Sequence, residues 1–474
     1  MNFQSATQTN DPALWSLAEA MTAMARKRIS SLELTKACLK RIERIAPKLN
    51  AFLAVDAEAA LKAAKAADRA RAKGDKRPLL GAPLAHKDMF ARKGRTMSRG
   101  ARQLFAPDTE DATVIARLAA AGALHLGPLH MNEFAFGPTG HNEHDGPARN
   151  AWDPTRITGG SSSGSATAVA ARLIFGALGS DTGGSVRMPA HFCGITGLKT
   201  SYGRVSRAGA MPLSFTLDTI GPLARSAEDA AMIFSVIAGA DLRDATTPDI
   251  PVPKPSSCKE AVAGMTVGIP DAYYFDNLHP AVAVAIDGMI ATLKKLKVKV
   301  KPVKLPDQVR INAACQVVIG AESSAIHKSM LIESPEKYGE QVRNRLENGF
   351  GYTAVEYVEA MRFRSFALAE HLEAVRGYDA ILMPTCLTPA PTIEETDVGG
   401  GANAEVIIQG VTRFARVMNF LGLPAMTVPS GFSDDGLPVG LQLGGRPFEE
   451  GKLLALGAAV QRVTDHHLRV PPVD

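Results

Sequence analysis

"TGGSSSGSATAV", Thr158 to Val169, has the composition of a flexible linker, but its surroundings do not fit one. A glycine and serine linker stays disordered because it has nothing apolar to bury, and it separates folded units of different composition. Here the chain continues into "ATAVAARLIFGALG" (Ala166 to Gly179), an apolar run with one charge at Arg172, which predicts a buried helix. A second glycine and serine stretch, "SDTGGSVRMPA" (Ser180 to Ala190), follows at once. Two such loops bracketing a buried element put turns and hydroxyls against the densest part of a fold. Either an anion-binding or catalytic loop or an ordinary helix-opening turn has that form.

Outward from these loops the chain alternates strands and helices. "KLNAFLAV" predicts a strand, the alanine-rich helix after it closes at Gly74, and "GAPLAHKDMF" (Gly81 to Phe90) predicts a turn and a short buried strand. "ALHLGP", "MTVGIP", "VKVKPV", "YDAILMPT", "PAMTVPSG" and "LPVGLQLGGRP" predict further strands, with helices at "TAVAARLIFGAL" and "AVAVAIDGMIATLKKL". Ahead of them, "SLAEAMTAMARKRISSLELTKACLKRIERI" has apolar residues at helical spacing, interrupted where Ser30 and Ser31 can cap a new helix. This alternation predicts an α/β fold with a parallel or mixed sheet. No repeat or polar linker divides the chain, so residues 1–474 are expected to form one large domain, with Ser256 to Ala374 as a variable helical insertion lining the substrate pocket.

With 46% hydrophobic side chains in 474 residues, a large core is assured. The net charge of +5 is spread over 53 basic and 48 acidic residues. Its densest patch, "LKKLKVKVKPVK" (Leu293 to Lys304), alternates like a solvated edge strand, so no nucleic-acid partner is expected. Cys38, Cys193, Cys258, Cys315 and Cys386 form no C-x-x-C pair, which fits free thiols in a reducing compartment. No leader-like start and no apolar run of membrane-spanning length is present, and the expectation is a cytoplasmic chain without a membrane partner.

Several chemistries lack their motifs. There is no G-x-x-x-x-G-K-[ST] and no G-x-G-x-x-G after a strand. The pairs His125 with His130 and His466 with His467 lack a carboxylate at zinc-protease spacing, and "HNEHD" (His141 to Asp145) lacks a second half-site, so neither metal nor cofactor is expected. What remains is hydroxyls, backbone N–H groups and a lysine, on which acyl transfer can run. A buried lysine kept neutral can take a serine's proton, and successive glycines let N–H groups converge on a developing oxyanion.

The stretch "GGSSSGSATAVAARLIFGALGSDTGGSVRMPA" resembles the amidase signature family, serine hydrolases with a Ser, cis-Ser, Lys triad. "GAPLAHKDMF", Phe192 to Ala231 and Asn419 to Gly457 are similar to other blocks of that family, and the likeness is weakest between about Ser256 and Ala374. The resemblance implies the family's fold, a twisted mixed sheet covered on both faces by helices. It implies Ser185 as nucleophile, Ser161 in a cis peptide bond with Gly160 as bridge, and Lys87 as base. The N–H groups of Thr182, Gly183, Gly184 and Ser185 are expected to form the oxyanion hole, with Asp181 and Arg187 pairing to support the loop. Asp88 is expected to face away from Lys87, because successive strand side chains alternate. Ser163 stands where glycine is commoner in the family, and His86 before the lysine is less usual. Cys193, in apolar "HFCGITG", reads as packing.

The expected activity is hydrolysis of a small-molecule amide, carbamate or urea-like bond, by a chain that can pair as a homodimer. The alternative is the glutamine-amidase component of a tRNA-dependent amidotransferase, its A subunit, which frees ammonia from glutamine. Against it, "NGFGYTAVEYVEAMRFR" lacks that component's tyrosine-rich motif and "TRFARVMNF" its aspartate, while Arg345 remains able to bind a carboxylate. A catalytically inactive binding protein on the same fold is the third reading.

Overall fold

Serine caps set the amino-terminal helices. Ser16 and Ser30 accept from Glu19 N and Glu33 N while those glutamates reach back to the cap N–H groups, opening helices Leu17–Ala25 and Ser31–Leu49. The computed structural model describes residues 11–102, 105–397 and 404–473. Ten strands among them join one sheet: β1 (Pro83–Lys87), β2 (Leu124–Leu129), β3 (Gly176–Asp181), β4 (Thr196–Lys199), β5 (Thr219–Ala224), β6 (Thr266–Pro270), β7 (Lys299–Val303), β8 (Ala380–Pro384), β9 (Ala425–Phe432) and β10 (Pro438–Gly444). Their order is β2-β1-β3-β5-β4-β9-β10-β8-β6-β7. β1 runs parallel to β2 and β3, and β6 runs parallel to β7 and β8, while the strands between are antiparallel neighbours. With its helices this mixed sheet makes a single α/β domain.

The apolar run after the first loop departs from the expected single helix. It divides into helix Ser163–Ala170 and strand β3, with Arg172 at φ +60° in the turn between them. Every residue of both elements is buried, so no polar face exists to reveal the change of period. β3 is thereby a central strand that delivers Ser180 and Asp181 to the second loop. β4 and β5, in the middle of the sheet, have no periodic signature in the sequence either, being short, fully buried and interrupted by glycine or proline. "KLNAFLAV" is not a strand: it passes β2 with a single Phe52–Leu129 bridge.

Residues 256–374 are not wholly helical, since β6 and β7 extend the same sheet. β7 is its edge, with Lys299 and Lys301 exposed, as the alternating lysines predict. Helix Pro280–Lys295 lies between β6 and β7, and helices Gln308–Glu333, Glu340–Gly349 and Ala354–Ala374 follow β7. Among the described residues no helix is long and apolar enough to cross a membrane.

Candidate active site

All five residues of β1 are buried, and its last, Lys87, is 1% exposed. Lys87 Nζ lies 2.7 Å from Ser161 Oγ and 2.8 Å from Ser180 Oγ. Burial pulls its ammonium down to about 7, against the fields of Asp218 and Asp181, which push it up. Asp88 instead accepts from Ser98 N at 2.7 Å and Ser98 Oγ at 2.6 Å. The carboxylates whose fields reach Lys87 are thus not its chain neighbour but two from other loops. His86 Nδ1 accepts from Leu178 N at 3.1 Å, and burial holds the ring neutral with a pKa of about 3. It ties β1 to β3 rather than touching the lysine amine.

In the first loop the Gly160–Ser161 peptide bond is cis. A Cβ on Gly160 would stand 2.2 Å from Asn132 Oδ1 and 2.7 Å from Gly137 O, so only glycine fits. Ser161 is fully buried, and its carbonyl accepts from Asn132 N at 3.3 Å. Ser163 Oγ lies 2.9 Å from His130 Nδ1, whose other nitrogen lies 2.8 Å from Gly146 O. The serine in place of glycine therefore belongs to a buried link between this loop and its neighbours.

The second loop is held by a fully buried ion pair. Arg187 donates from Nε to Asp181 Oδ2 at 3.1 Å and from Nη2 to Oδ1 at 3.0 Å. Asp181 also accepts from Gly184 N at 2.8 Å and Val186 N at 3.1 Å. Burial alone would raise its carboxyl, but the Arg187 guanidinium, the field of Lys199 and the Asn419 amide outweigh it and hold the pKa at about 2. Arg187 donates further to Gln442 Oε1 at 2.8 Å, Ala415 O at 2.8 Å and Asn419 Oδ1 at 2.7 Å, and Asn419 Nδ2 donates back to Asp181. Removing one member leaves the other charge buried and alone. Asp181→Ala is accordingly expected to lower the unfolding free energy by about 3–5 kcal/mol. Denaturant unfolding checks it, and a loss below about 1 kcal/mol would contradict the role given to this pair.

Gly184 has φ +118°, and a Cβ there would meet Ala415 Cβ at 2.4 Å. Its N–H is engaged by Asp181. That leaves the N–H groups of Thr182, Gly183 and Ser185 without an acceptor among the described residues. Thr182 Oγ1 donates to Asp218 Oδ1 at 2.5 Å, which fixes this side of the turn. Ser185 is 7% exposed, and its Oγ has no hydrogen-bond partner among the described residues. Lys87 and Ser161 are in contact, whereas no hydrogen bond joins Ser161 to Ser185.

Thr182, Gly183 and Ser185 line a cavity of about 420 Å³. Helices Gln308–Glu333, Glu340–Gly349 and Ala404–Thr412 contribute walls, and among the described residues Arg345 and Arg416 are its cationic groups. Arg345 Nη1 donates to Phe136 O at 3.2 Å. Neither Lys87 nor Ser161 lines this space. Among the described residues no three His, Cys, Asp or Glu side chains could hold a metal. His141 contacts Thr139 Oγ1 and Ile393 O, and His144 contacts Glu133, all at hydrogen-bond distance. Cys193 is buried, and burial pushes its thiol up, as for a packing residue.

Sequence reasoning missed Ser180, Asn419, Gln442 and Asp218. Ser180 had a usable signal, since a strand ending in the second loop must run beside the strand that ends at Lys87. The other three come from distant segments with no local signature.

The model of the amidase family matches residues 33–454. The A subunit of glutamyl-tRNA(Gln) amidotransferase from Azotobacter vinelandii is 40% identical, over 96% of this chain and 98% of that protein. A structure described as a vestigial protein complex revealing the origins of an s-triazine catabolic enzyme superposes with TM-score 0.88 and 32% identity, covering 95% of this chain and 98% of that one. The A subunit of glutamyl-tRNA(Gln) amidotransferase from Thermotoga maritima does so with TM-score 0.82 and 31% identity, over 98% and 99% of the two chains. Loops, sheet and full-length likeness agree, and the chain belongs to the amidase family.

Proposed function

We propose that this chain hydrolyses the carbon–nitrogen bond of an amide through a covalent acyl-Ser185 intermediate, with Ser161 as bridge and Lys87 as base. The observation that carries this reading is the 2.7 Å approach of the buried Lys87 amine to Ser161, together with Ser185 lining the cavity. A lysine drawn down to about 7 has a lone pair near neutral pH. Ser161 gives its proton to that lone pair and takes the proton of Ser185 as Ser185 Oγ bonds to the carbonyl carbon. The N–H groups of Thr182, Gly183 and Ser185 meet the oxyanion; Gly184, expected as a fourth donor, holds Asp181 instead. The proton then returns through Ser161 to the leaving nitrogen as the carbon–nitrogen bond breaks. Water attacks the acyl ester by the same proton route and releases the acid and free Ser185. No metal takes part in these steps, so turnover is expected to survive dialysis against a chelator, and activity that is lost and then restored by zinc would contradict the scheme.

The names of the relatives favour glutamine as the amide, within an amidotransferase assembly, over the free-standing small-molecule enzyme that the sequence alone suggests. That setting brings other subunits and an aminoacyl-tRNA in place of the expected absence of nucleic acid. One observation favours the free-standing reading. Among its described residues the cavity offers no carboxylate for glutamine's ammonium group. Ammonia release from glutamine, compared with acetanilides, indoleacetamide and carbamates, separates the two settings. A burst of product from an activated aryl ester, stoichiometric with enzyme, supports the acyl-enzyme, and a binding protein would give neither signal.

A further inference from the structure

Arginines in the interior of this protein are met by carboxylates or, at Arg172 and Arg225, by backbone carbonyls. Arg187 pairs with Asp181, Arg204 with Glu450 at 3.2 Å, and Arg207 with Asp244 at 3.4 Å. Arg416 breaks this pattern. Its side chain is half-buried in the cavity wall, and among the described residues its guanidinium makes one hydrogen bond, from Nη1 to the neutral Gln316 Oε1 at 3.2 Å. The groups whose fields act on it are Cys315, Tyr273 and Tyr352, all uncharged near neutral pH. Burial weakens its hold on its proton without a countercharge to offset that.

Its placement is as constrained as that of the catalytic loop. Arg187 donates to Ala415 O, the residue before Arg416, and Asn419, three residues after it, donates to Asp181 O at 2.8 Å. The segment carrying Arg416 is thus bonded on both sides to the loop that carries Ser185. Gly183 lies under the arginine stem, since a Cβ there would stand 3.5 Å from Arg416 Cγ. A guanidinium beside the reacting loop, with no carboxylate among the described lining residues, gives this wall of the cavity a positive character. A desolvated charge without a partner is unfavourable, and a ligand that brings the opposite charge removes the penalty.

We infer that Arg416 is a specificity-determining residue that binds a carboxylate on the substrate, so that the amides this site prefers are anionic ones without a balancing ammonium. The inference rests on the amidase reading above. It selects among amides of equal chain length: glutaramate, which has the carboxylate, over valeramide, which lacks it, and over glutamine, which adds an ammonium with no carboxylate among the described lining residues to meet it.

The test measures kcat/KM for these three amides with the full chain, and the binding of glutarate by calorimetry. Wild type is expected to prefer glutaramate to valeramide by about a hundredfold, mostly through KM, the size expected for a partly desolvated charge pair. Arg416→Gln is expected to bring that ratio close to one and to lose glutarate binding, while Arg416→Lys keeps part of both. A ratio is unaffected by the fraction of folded enzyme. Preference for valeramide or glutamine, or an undiminished ratio in Arg416→Gln, overturns the inference and leaves the amidase reading standing. If no amide is turned over, the amidase reading fails, and the binding experiment still decides: glutarate bound by wild type and lost in Arg416→Gln upholds the anion site, and no binding removes it.

Discussion

Replacing Ser185 with alanine is expected to lower turnover by roughly 10⁴- to 10⁶-fold. Among the described residues of this loop and its neighbour, no second hydroxyl is placed to take over from it. Ser161 is fully buried and does not line the cavity, and Thr182 Oγ1 is bonded to Asp218. The same change is expected to alter stability by less than about 1 kcal/mol, because Ser185 Oγ has no partner among the described residues to be orphaned. Single-turnover kinetics together with denaturant unfolding check both halves. Comparable rates in the two proteins would remove Ser185 from the mechanism, whereas an unfolded mutant would mean that the loop depends on this side chain for its shape.

Lys87→Arg is expected to be nearly as damaging as Lys87→Ala, each losing roughly 10²- to 10⁴-fold, the range for a positioned general base. The arginine keeps a positive charge but cannot release its proton in a protein. If Lys87→Arg retained most of the turnover, the lysine would be acting as a fixed charge. The pH dependence follows from the same group. Below about 7 the amine is protonated and has no lone pair, so kcat/KM is expected to rise about tenfold per pH unit there and to level off above. Stability has the corresponding sign. Burial lowers the folded pKa from 10.5 to about 7, so between those values the unfolded chain binds the proton that the folded one has released, and stability rises with pH. Lys199 is drawn down to about 7 as well and titrates in the same window. The Lys87 contribution is therefore read as the difference between wild type and Lys87→Met, which is expected to lack that part of the rise. A flat difference between pH 7 and 10 would show that the amine is not neutral in the folded protein.

The sequence by itself determined the features that depend on neighbouring residues. Ser16 and Ser30 each stand three positions before a glutamate, and that spacing is enough to cap a helix wherever it sits. The lysines of β7 alternate because one side of an edge strand meets water. The paired glycines and the serines of the two loops are set out in the chain itself, so the loops could be identified from their residues alone. Their serines and Lys87 came with them, as members of a resemblance.

Tertiary structure decided what depends on residues far apart in the chain. Lys87 meets Ser180 across 93 positions because β1 and β3 pair in parallel, a register no local pattern encodes. Asp181 keeps its charge because Asn419 and Arg187 reach it, the asparagine from 238 positions away. The apolar run after the first loop divides into helix and strand because burial on every side removes the periodicity that tells one from the other. The cavity's charge belongs to this second group. Arg345 and Arg416 lie on separate helices that the fold brings over one loop, and a sequence read in order shows two arginines but not the absence of a carboxylate between them among the described residues.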